Sequence, residues 1–176
     1  MSIVAVPPPT DAQVAAVLAG AVCLADRAAV ETAIARVAVD IGRELHDLQP
    51  LVLCGVRGGI VIAGQLLTRL PFPLLFDYVH VTRYDGATEG GELQWKVRPA
   101  LSPAGRHVLL VDDILDVGLT LEAITRWCRE QGALSVRTAV LVEKQHARKV
   151  RPGLRADYAG LQVGDRYVFG YGLDWH

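Results

Sequence analysis

The chain has 176 residues, 51% of them apolar, and a formal net charge of −1 at pH 7. This length allows one good hydrophobic core but is short for two, so we expect a single domain over 1–176. The near-neutral charge predicts neither nucleic acid nor a membrane as a partner, and any anion site must be built locally. Three cysteines, an odd number without CxxC spacing, argue against a disulfide framework or a zinc ribbon and favour the cytoplasm.

The first third of the chain predicts an extended segment, a helix and a strand in that order. Residues 1–10 contain three prolines and lack the pattern of a secretory leader, and no apolar run reaches the ~20 residues of a membrane span. Apolar residues at helical spacing predict an amphipathic helix over 28–47. The run LVLC at 51–54 predicts a strand buried on both faces, followed by a helix over 60–70 and a strand over 74–81.

A long loop separates this part from the second half of the chain. Residues 83–95, RYDGATEGGELQW, contain three glycines and several charges without a helical period, which predicts a mobile loop with a functional role. A strand over 108–111, a helix over 120–131 and a strand over 136–142 follow. The recurrence of strand and helix predicts an α/β fold with a mainly parallel twisted sheet flanked by helices. Ligands of such sheets bind beyond the carboxyl ends of the strands.

The strongest chemical signal is VLLVDDILDVGLTL at 108–121. An apolar strand delivers Asp112 and Asp113 to its end, Asp116 follows in the turn, and Gly118 precedes a helix start whose N–H groups can bind phosphate. The adjacent carboxylates could accept hydrogen bonds from vicinal ribose hydroxyls, which leaves Asp116 to take a proton. The alternative is that these aspartates only solvate a turn and cap a helix.

This segment resembles the phosphoribosyl-pyrophosphate loop of type I phosphoribosyltransferases, because the strand, the acidic pair, the third Asp and Gly-x-Thr fall in register. Three further segments are similar to the hypoxanthine-guanine branch: LCGVRGG at 53–59, the glycine-rich loop from Arg83, and LVEK with DRYVFGYGLDW at 141–144 and 165–175. The resemblance implies that fold, with a small hood formed by the terminal segments and a flexible active-site loop. It also implies a Mg²⁺-dependent enzyme, a homodimer or homotetramer, that converts phosphoribosyl pyrophosphate and hypoxanthine or guanine to IMP or GMP.

The resemblance assigns the donor, phosphoribosyl pyrophosphate, to two loops. The first would bind the diphosphate through Arg57, Gly58 and Gly59, with the family's non-proline cis peptide joining Val56 to Arg57. Without the resemblance, an ordinary turn with a surface arginine would be the simpler interpretation. Asp174, with the acidic pair, would help to hold Mg²⁺. The second loop would contribute Asp112, Asp113, Ile114, Leu115, Val117, Gly118, Leu119 and Thr120.

The resemblance assigns the base to another set of residues. Asp116 would handle the proton on N7, and Lys144 would donate to O6 and so select 6-oxopurines over adenine. Tyr167 would stack on the purine, and the backbone of Val168 would read the base edge. A surface lysine and a core tyrosine are the competing interpretations of two of these residues. The loop residues expected nearest the diphosphate are Arg83 and Tyr84.

Three departures from the family pattern weaken particular inferences. Val117 stands where many members have Thr, and Leu119 replaces a frequent polar or basic residue, so two contacts to the 5′-phosphate are lost. The sequence ends at His176, whereas relatives continue with an arginine-bearing segment that reaches pyrophosphate. We expect that either Arg57 or Arg83 takes the place of that arginine, or the enzyme holds pyrophosphate weakly. A third alternative is that the sequence is a shortened one.

Other functions compete with this interpretation. A xanthine-preferring enzyme and a non-catalytic, RNA-binding regulator would both use the same fold, although the near-neutral charge gives the regulator little support. A phosphoacceptor signalling domain also has an apolar strand ending in Asp-Asp, but there the pair follows the first strand. Dinucleotide and nucleoside-triphosphate folds are unlikely because GxGxxG after a strand and GxxxxGK[ST] are both missing from the sequence.

Overall fold

A six-stranded sheet forms the centre of the computed structural model, which describes residues 10–83 and 93–173. The strand order is β3-β2-β1-β4-β5-β6, and every neighbouring pair is parallel except β2 and β3. This arrangement confirms the predicted α/β class with a mainly parallel sheet. The strands are β1 Leu51–Gly55, β2 Leu75–Arg83, β3 Leu93–Val97, β4 His107–Leu115, β5 Ser135–Gln145 and β6 Tyr158–Gly164.

Helices cover both faces of the sheet. The helices are α1 Asp11–Gly20, α2 Arg27–Leu45, α3 Ile60–Leu67 and α4 Leu119–Glu130, with a 3-10 turn at His46–Leu48 after α2. Helices α2 and α3 share one core with side chains of β1, β4 and β5. Helix α4 packs on the opposite face, where its apolar side chains join the other side chains of β1, β4 and β5.

The centre of the sheet is buried on both sides, which explains the unbroken apolar run of β1. Leu51, Val52, Leu53 and Cys54 are each at most 1% exposed. All three cysteines are free. Burial, with the nearby aspartates, raises the pKa of the Cys54 thiol to about 12, and burial raises that of Cys128 to about 11. Both side chains therefore act as small apolar groups of the core.

The predicted bounds of the loop at 83–95 are wrong at both ends. Residue 83 is the last of β2 and residues 93–97 form β3, which pairs antiparallel to β2 through Arg83↔Leu93 and Val81↔Trp95. The residues between, 84–92, lie outside those the structure describes. Alternation explains the strand, because Leu93 and Trp95 are half-buried while Gln94 and Lys96 are exposed. Trp95 also lies against Trp127 of α4, with ring centroids 5.3 Å apart, and the Arg98 guanidinium lies 4.4 Å from the Trp95 ring.

Strands β4 and β5 are longer than predicted. Asp112 pairs with Val140 and Ile114 with Val142, so the acidic pair lies within β4. Lys144 lies within β5, where it pairs with Val163 of β6, although the sequence predicted that it would follow the strand. The extra residues of β4 hydrogen-bond with β5, and those of β5 hydrogen-bond with β6, so both strands continue beyond their predicted ends.

Helix α1 and strand β6 were not predicted. None of the α1 side chains is buried, and its apolar residues follow no amphipathic period. The sequence therefore offered no periodic signal for this helix. A capping box was nevertheless visible in the sequence: the Thr10 hydroxyl accepts from the Gln13 N–H, and the Gln13 side chain accepts from the Thr10 N–H. The end of α1 and residues 20–25 line an apolar cavity of about 980 Å³ together with residues 166–173. The segments expected to form a hood therefore meet. No helix in the described ranges is long and apolar enough to cross a membrane.

Candidate active site

The loops after β1 and β4 meet the end of β5 and the C-terminal segment around a cleft of about 550 Å³. It lies at the carboxyl edge of the parallel strands, where the fold class predicts a ligand. We call residues 55–58, 112–114 and 117–120 the donor wall, and Lys144, Tyr167 and Val168 the base wall, with Asp116 between the two. The predicted site residues that line the cleft are Val56, Arg57, Gly58, Asp112, Asp113, Ile114, Asp116, Val117, Gly118, Leu119, Thr120, Lys144, Tyr167 and Val168.

Five predicted site residues do not line this cleft or cannot be placed in it. The Leu115 side chain is fully buried in the core, and Gly59 is buried beneath its loop. Tyr84 and Asp174 lie outside the described residues, and only the backbone of Arg83 is described, as the end of β2. The roles of these last three residues stay predictions.

The loop after β1 packs so closely on β4 that only glycine fits. The peptide bond between Val56 and Arg57 is cis, as the family resemblance predicted. A Cβ atom on Gly58 would lie 2.0 Å from Oδ2 of Asp113, and one on Gly59 would lie 2.5 Å from the Gly55 carbonyl oxygen. These approaches leave no room for a side chain at Gly58 or Gly59, so the loop backbone itself packs on β1, β4 and the Asp113 carboxylate.

The acidic pair occupies the floor of the donor wall. Asp112 is half-buried, and its Oδ1 accepts a hydrogen bond from the Asp113 N–H at 3.0 Å. Burial, and next the charge of Asp113, raise the pKa of Asp112 well above the usual carboxyl range. The pair therefore favours a ligand that brings positive charge or hydroxyl donors.

The start of α4 supplies an anion site of the kind that the sequence predicted. Gly118 precedes the helix with φ at +87°, and a Cβ atom there would lie 2.5 Å from the Leu154 side chain. No described side chain caps this helix start, so its first N–H groups face the cleft. The segment after β5 holds the turn in place, because Lys149 Nζ donates to the Leu115 carbonyl and the Val150 N–H donates to the Val117 carbonyl, both at 2.8 Å.

Asp116 is held from both sides by residues at the end of β5. Lys144 Nζ donates to Oδ2 at 2.9 Å, and His146 Nε2 lies 2.7 Å from Oδ1. Burial acts to raise the pKa of Asp116, but the hydrogen bonds from Lys144 and His146 and their charge outweigh it. The net pKa is lower than the ordinary carboxyl value, so Asp116 is ionised at neutral pH and can accept a proton.

The base wall is more open than the donor wall. The Lys144 residue is 8% exposed, whereas Tyr167 is 59% exposed and lies 6.4 Å from the Phe169 ring, centroid to centroid. Val168 is half-buried and borders the same cleft. An exposed ring beside a buried ammonium group can take a flat ligand that carries an acceptor on one edge.

Sequence reasoning missed two groups of residues at this site. His146 follows Lys144 by two positions, the spacing that places alternate side chains of an extended segment on one side. That spacing was the available signal for it. The other missed residues that line the cleft come from β2, α4 and the C-terminal segment, and they are Val79, His80, Val81, Thr82, Leu121, Ile124 and Leu173.

The donor wall fits the Mg²⁺ that the family resemblance implies. Carboxylate oxygens are the donors that Mg²⁺ prefers, and a divalent cation would offset the burial and the repulsion from Asp113 that together raise the pKa of Asp112. In the part of the chain that the structure describes, no group of three or more His, Cys, Asp or Glu could hold a metal. A magnesium ion here would take its remaining oxygens from water and from a phosphorylated ligand.

Known proteins share this fold and these segments. Residues 21–166 match the family described as Phosphoribosyl transferase domain. The hypoxanthine-guanine-xanthine phosphoribosyltransferase of Tritrichomonas foetus is 30% identical over 147 residues, which cover 84% of this chain and 80% of that protein. The hypoxanthine-guanine phosphoribosyltransferase of Staphylococcus epidermidis is 34% identical over 129 residues, covering 72% and 71%. A solved hypoxanthine-guanine-xanthine phosphoribosyltransferase superposes with a TM-score of 0.77 at 27% identity, over 87% of each chain.

Proposed function

Because the chain belongs to the type I phosphoribosyltransferase family, in its hypoxanthine-guanine branch, we propose that it transfers 5-phosphoribose from phosphoribosyl pyrophosphate to hypoxanthine or guanine. The products are IMP or GMP and pyrophosphate. Membership in the branch confirms the family, the fold class and the purine-salvage enzyme class predicted from the sequence. The individual residues of the site have the roles that follow.

One observation carries the proposal: anion-binding backbone and an acidic pair lie on one wall of a cleft, facing a paired carboxylate and ammonium group. On the donor wall, the amides at the start of α4 bind the 5′-phosphate, and Asp112 and Asp113 accept hydrogen bonds from the ribose hydroxyls. Val56, Arg57 and Gly58 line the diphosphate. Val117 and Leu119 lack side-chain donors, so the backbone N–H groups carry the phosphate contact.

Asp112 and Asp113 would hold Mg²⁺, which when bound would supply charge neutralisation for the diphosphate. Asp174 and Arg83 are further candidates on this side, the first for the metal and the second for the diphosphate. Closure of the loop that contains Arg83 and Tyr84 would exclude water, which would otherwise hydrolyse the donor.

Lys144 reads the base. Its ammonium group donates to Asp116 Oδ2 at 2.9 Å. A 6-oxopurine offers O6 as a second acceptor, whereas adenine places an amino group, itself a donor, at that position. Tyr167 stacks on the purine, and the backbone of Val168 contacts its edge. The site therefore favours hypoxanthine and guanine over adenine.

Asp116 handles the proton. In the transfer, N9 of the purine attacks the anomeric carbon of the ribose, and the bond to pyrophosphate breaks with its electron pair leaving on the pyrophosphate oxygen. The proton on N7 of the base passes to Asp116, whose lowered pKa keeps it ionised beforehand. In this proposal Lys144 moves from Asp116 to O6 when the base binds, before N9 attacks.

We infer the cytoplasm as the site of action and a homodimer or homotetramer as the assembly. The free cysteines favour a reducing compartment. Several exposed apolar side chains on β2, among them Phe76 and Tyr78, favour self-association.

A panel of hypoxanthine, guanine, xanthine and adenine with phosphoribosyl pyrophosphate and Mg²⁺ tests the proposal. We expect pyrophosphate release with hypoxanthine and guanine and little with adenine. If turnover is fastest with xanthine, the alternative of a xanthine-preferring enzyme is favoured. The name of the Tritrichomonas foetus relative also includes xanthine. No release with any base, together with salt-dependent RNA binding, would favour the regulator.

A further inference from the structure

We infer that His146 is a positioning residue that holds the carboxylate of Asp116 ready to take the proton from the base. The inference rests on the proposed function and deepens it. His146 follows the end of β5, and its Nε2 lies 2.7 Å from Asp116 Oδ1. The residue does not border the cleft, so it acts on the reaction only through Asp116.

The tautomer of His146 is defined by its second contact. The Arg148 N–H donates to Nδ1 at 3.1 Å, which requires a lone pair on that nitrogen. The ring proton is therefore on Nε2, where it donates to Asp116 Oδ1. Both ring nitrogens are satisfied while the imidazole is neutral, and the side chain is only 4% exposed. Because the His146 ring is buried and both of its nitrogens are hydrogen-bonded, it has one orientation. Its hydrogen bond to Asp116 therefore fixes the orientation of that carboxylate.

The two contacts on Asp116 differ in what happens when the base arrives. Lys144 leaves Oδ2 for the purine O6, so Oδ2 is released toward N7. Without a second donor, the carboxylate could then rotate, since it is 37% exposed. His146 keeps Oδ1 fixed and so keeps Oδ2 aimed into the cleft during the step in which Lys144 is otherwise engaged.

A second histidine provides a matched control. His46 Nδ1 lies 2.7 Å from Asp47 Oδ1, the same distance as in the His146 pair, but both side chains are on the surface, 59% and 92% exposed. The control keeps a histidine–carboxylate contact of the same length, made through Nδ1 to the adjacent residue and away from the cleft. His46→Ala is therefore expected to leave turnover unchanged.

The test compares His146→Ala, His146→Gln and His46→Ala by steady-state kinetics with hypoxanthine. We expect His146→Ala to lower kcat about tenfold, a part of the ~100-fold that a general base commonly contributes, with the KM for phosphoribosyl pyrophosphate unchanged. His146→Gln keeps an N–H donor on a side chain of similar reach and should recover most of the loss. Midpoints of thermal unfolding show whether each variant is folded.

The pH profile separates positioning from simple structural support. The charged or titratable groups around Asp116 are Lys144, His146 and Lys149, with Asp112 and Asp113 on β4. A donor hydrogen bond favours the ionised carboxylate, so its loss raises the pKa of Asp116 and moves the acid limb of kcat/KM to higher pH in His146→Ala. An unmoved acid limb, or equal loss of kcat in His146→Ala and His146→Gln, would overturn the assignment.

A measurement that needs no substrate completes the design. ¹⁵N-histidine spectra, with the His146 signals identified by their loss in His146→Gln, should show a neutral ring protonated at Nε2. A proton on Nδ1 would contradict the geometry. Inactivity of the wild type with every purine would overturn the proposed function and the role of His146 with it. An active wild type with unchanged kcat in His146→Ala would overturn the role of His146 alone.

Discussion

The two walls of the cleft are built on different principles. The donor wall consists of backbone and short carboxylates packed so closely that Gly58 and Asp113 would collide if a single methyl group were added. The base wall consists of longer side chains, and Tyr167 is 59% exposed. In the proposed function, rigid backbone recognises the sugar phosphate, which never varies, and side-chain tips recognise the base, which does. Substitutions on the donor wall should therefore abolish the reaction, while those on the base wall should change its preferences.

The largest effect is expected from Gly58→Ala on the donor wall. A Cβ atom 2.0 Å from Asp113 Oδ2 cannot be accommodated without moving the loop or the carboxylate. We expect at least about a 100-fold loss of kcat/KM for the donor, because misplacement by ~1 Å can cost that much.

Gly64→Ala is the matched control for this variant, since nothing lies within 4 Å of its added Cβ atom in α3. The control should keep full activity and fold at least as stably as the wild type. Near-normal donor kinetics in Gly58→Ala would mean that the donor wall is more adaptable than its packing indicates.

Asp116→Asn should have the next largest effect, because Asp116 lies between the two walls and takes the proton in the proposed reaction. We expect kcat to fall by ~100-fold with donor binding nearly intact, as measured by calorimetry with phosphoribosyl pyrophosphate and Mg²⁺. Asp47→Asn, on a side chain that is 92% exposed, is the control. Unchanged turnover in Asp116→Asn would remove this residue from proton handling.

Lys144→Ala on the base wall should alter the preference for hypoxanthine over adenine more than it alters the reaction in general. A lost charged hydrogen bond is worth ~1.5–3 kcal/mol, so kcat/KM for hypoxanthine should fall ~10- to 100-fold while that for adenine changes little. The ratio of the two values is the measurement. Equal losses for all bases would instead indicate a structural lysine.

Tyr167→Ala should give the smallest effect of the series. Stacking of a base on an aromatic ring is worth ~1–3 kcal/mol, and the exposure of this ring favours the low end, so the KM for the base should rise ~5- to 10-fold. Tyr167→Phe keeps the ring and should keep the KM. An identical loss in both variants would show that the hydroxyl, and not the ring, contacts the substrate.

Sequence reasoning reached the donor wall more fully than its surroundings. The run from Val108 to Thr120 has a fixed order of apolar strand, acidic residues and glycine, and local chemistry alone specifies that order. The contact between Gly58 and Asp113 joins two distant segments, so no local pattern contained it. The strand at 93–97 was obscured by the glycines before it, and α1 was missed because its side chains are exposed and carry no period.

The residues around Asp116 could be predicted only in part, because their contacts also join segments that are distant in the sequence. Asp116 and Lys144 were each assigned to the base through family resemblance, but their direct contact depends on the register of β4 against β5. His146 lies in a polar stretch that resembles any surface loop. The spacing from Lys144 indicates which side of the extended segment His146 lies on, but its burial against the turn after β4 is a tertiary effect that spacing alone does not predict.

The contact between the tilted indoles of Trp95 and Trp127 has an optical consequence. They connect the strand that follows residues 84–92 to α4, the helix whose first turn is proposed to bind the 5′-phosphate, and the Arg98 guanidinium group lies 4.4 Å from the Trp95 ring. Rings this close to each other and to a cation have emission that depends on small changes in their spacing. The protein therefore contains its own fluorescent reporter, which should register arrival of the sugar phosphate without any attached dye.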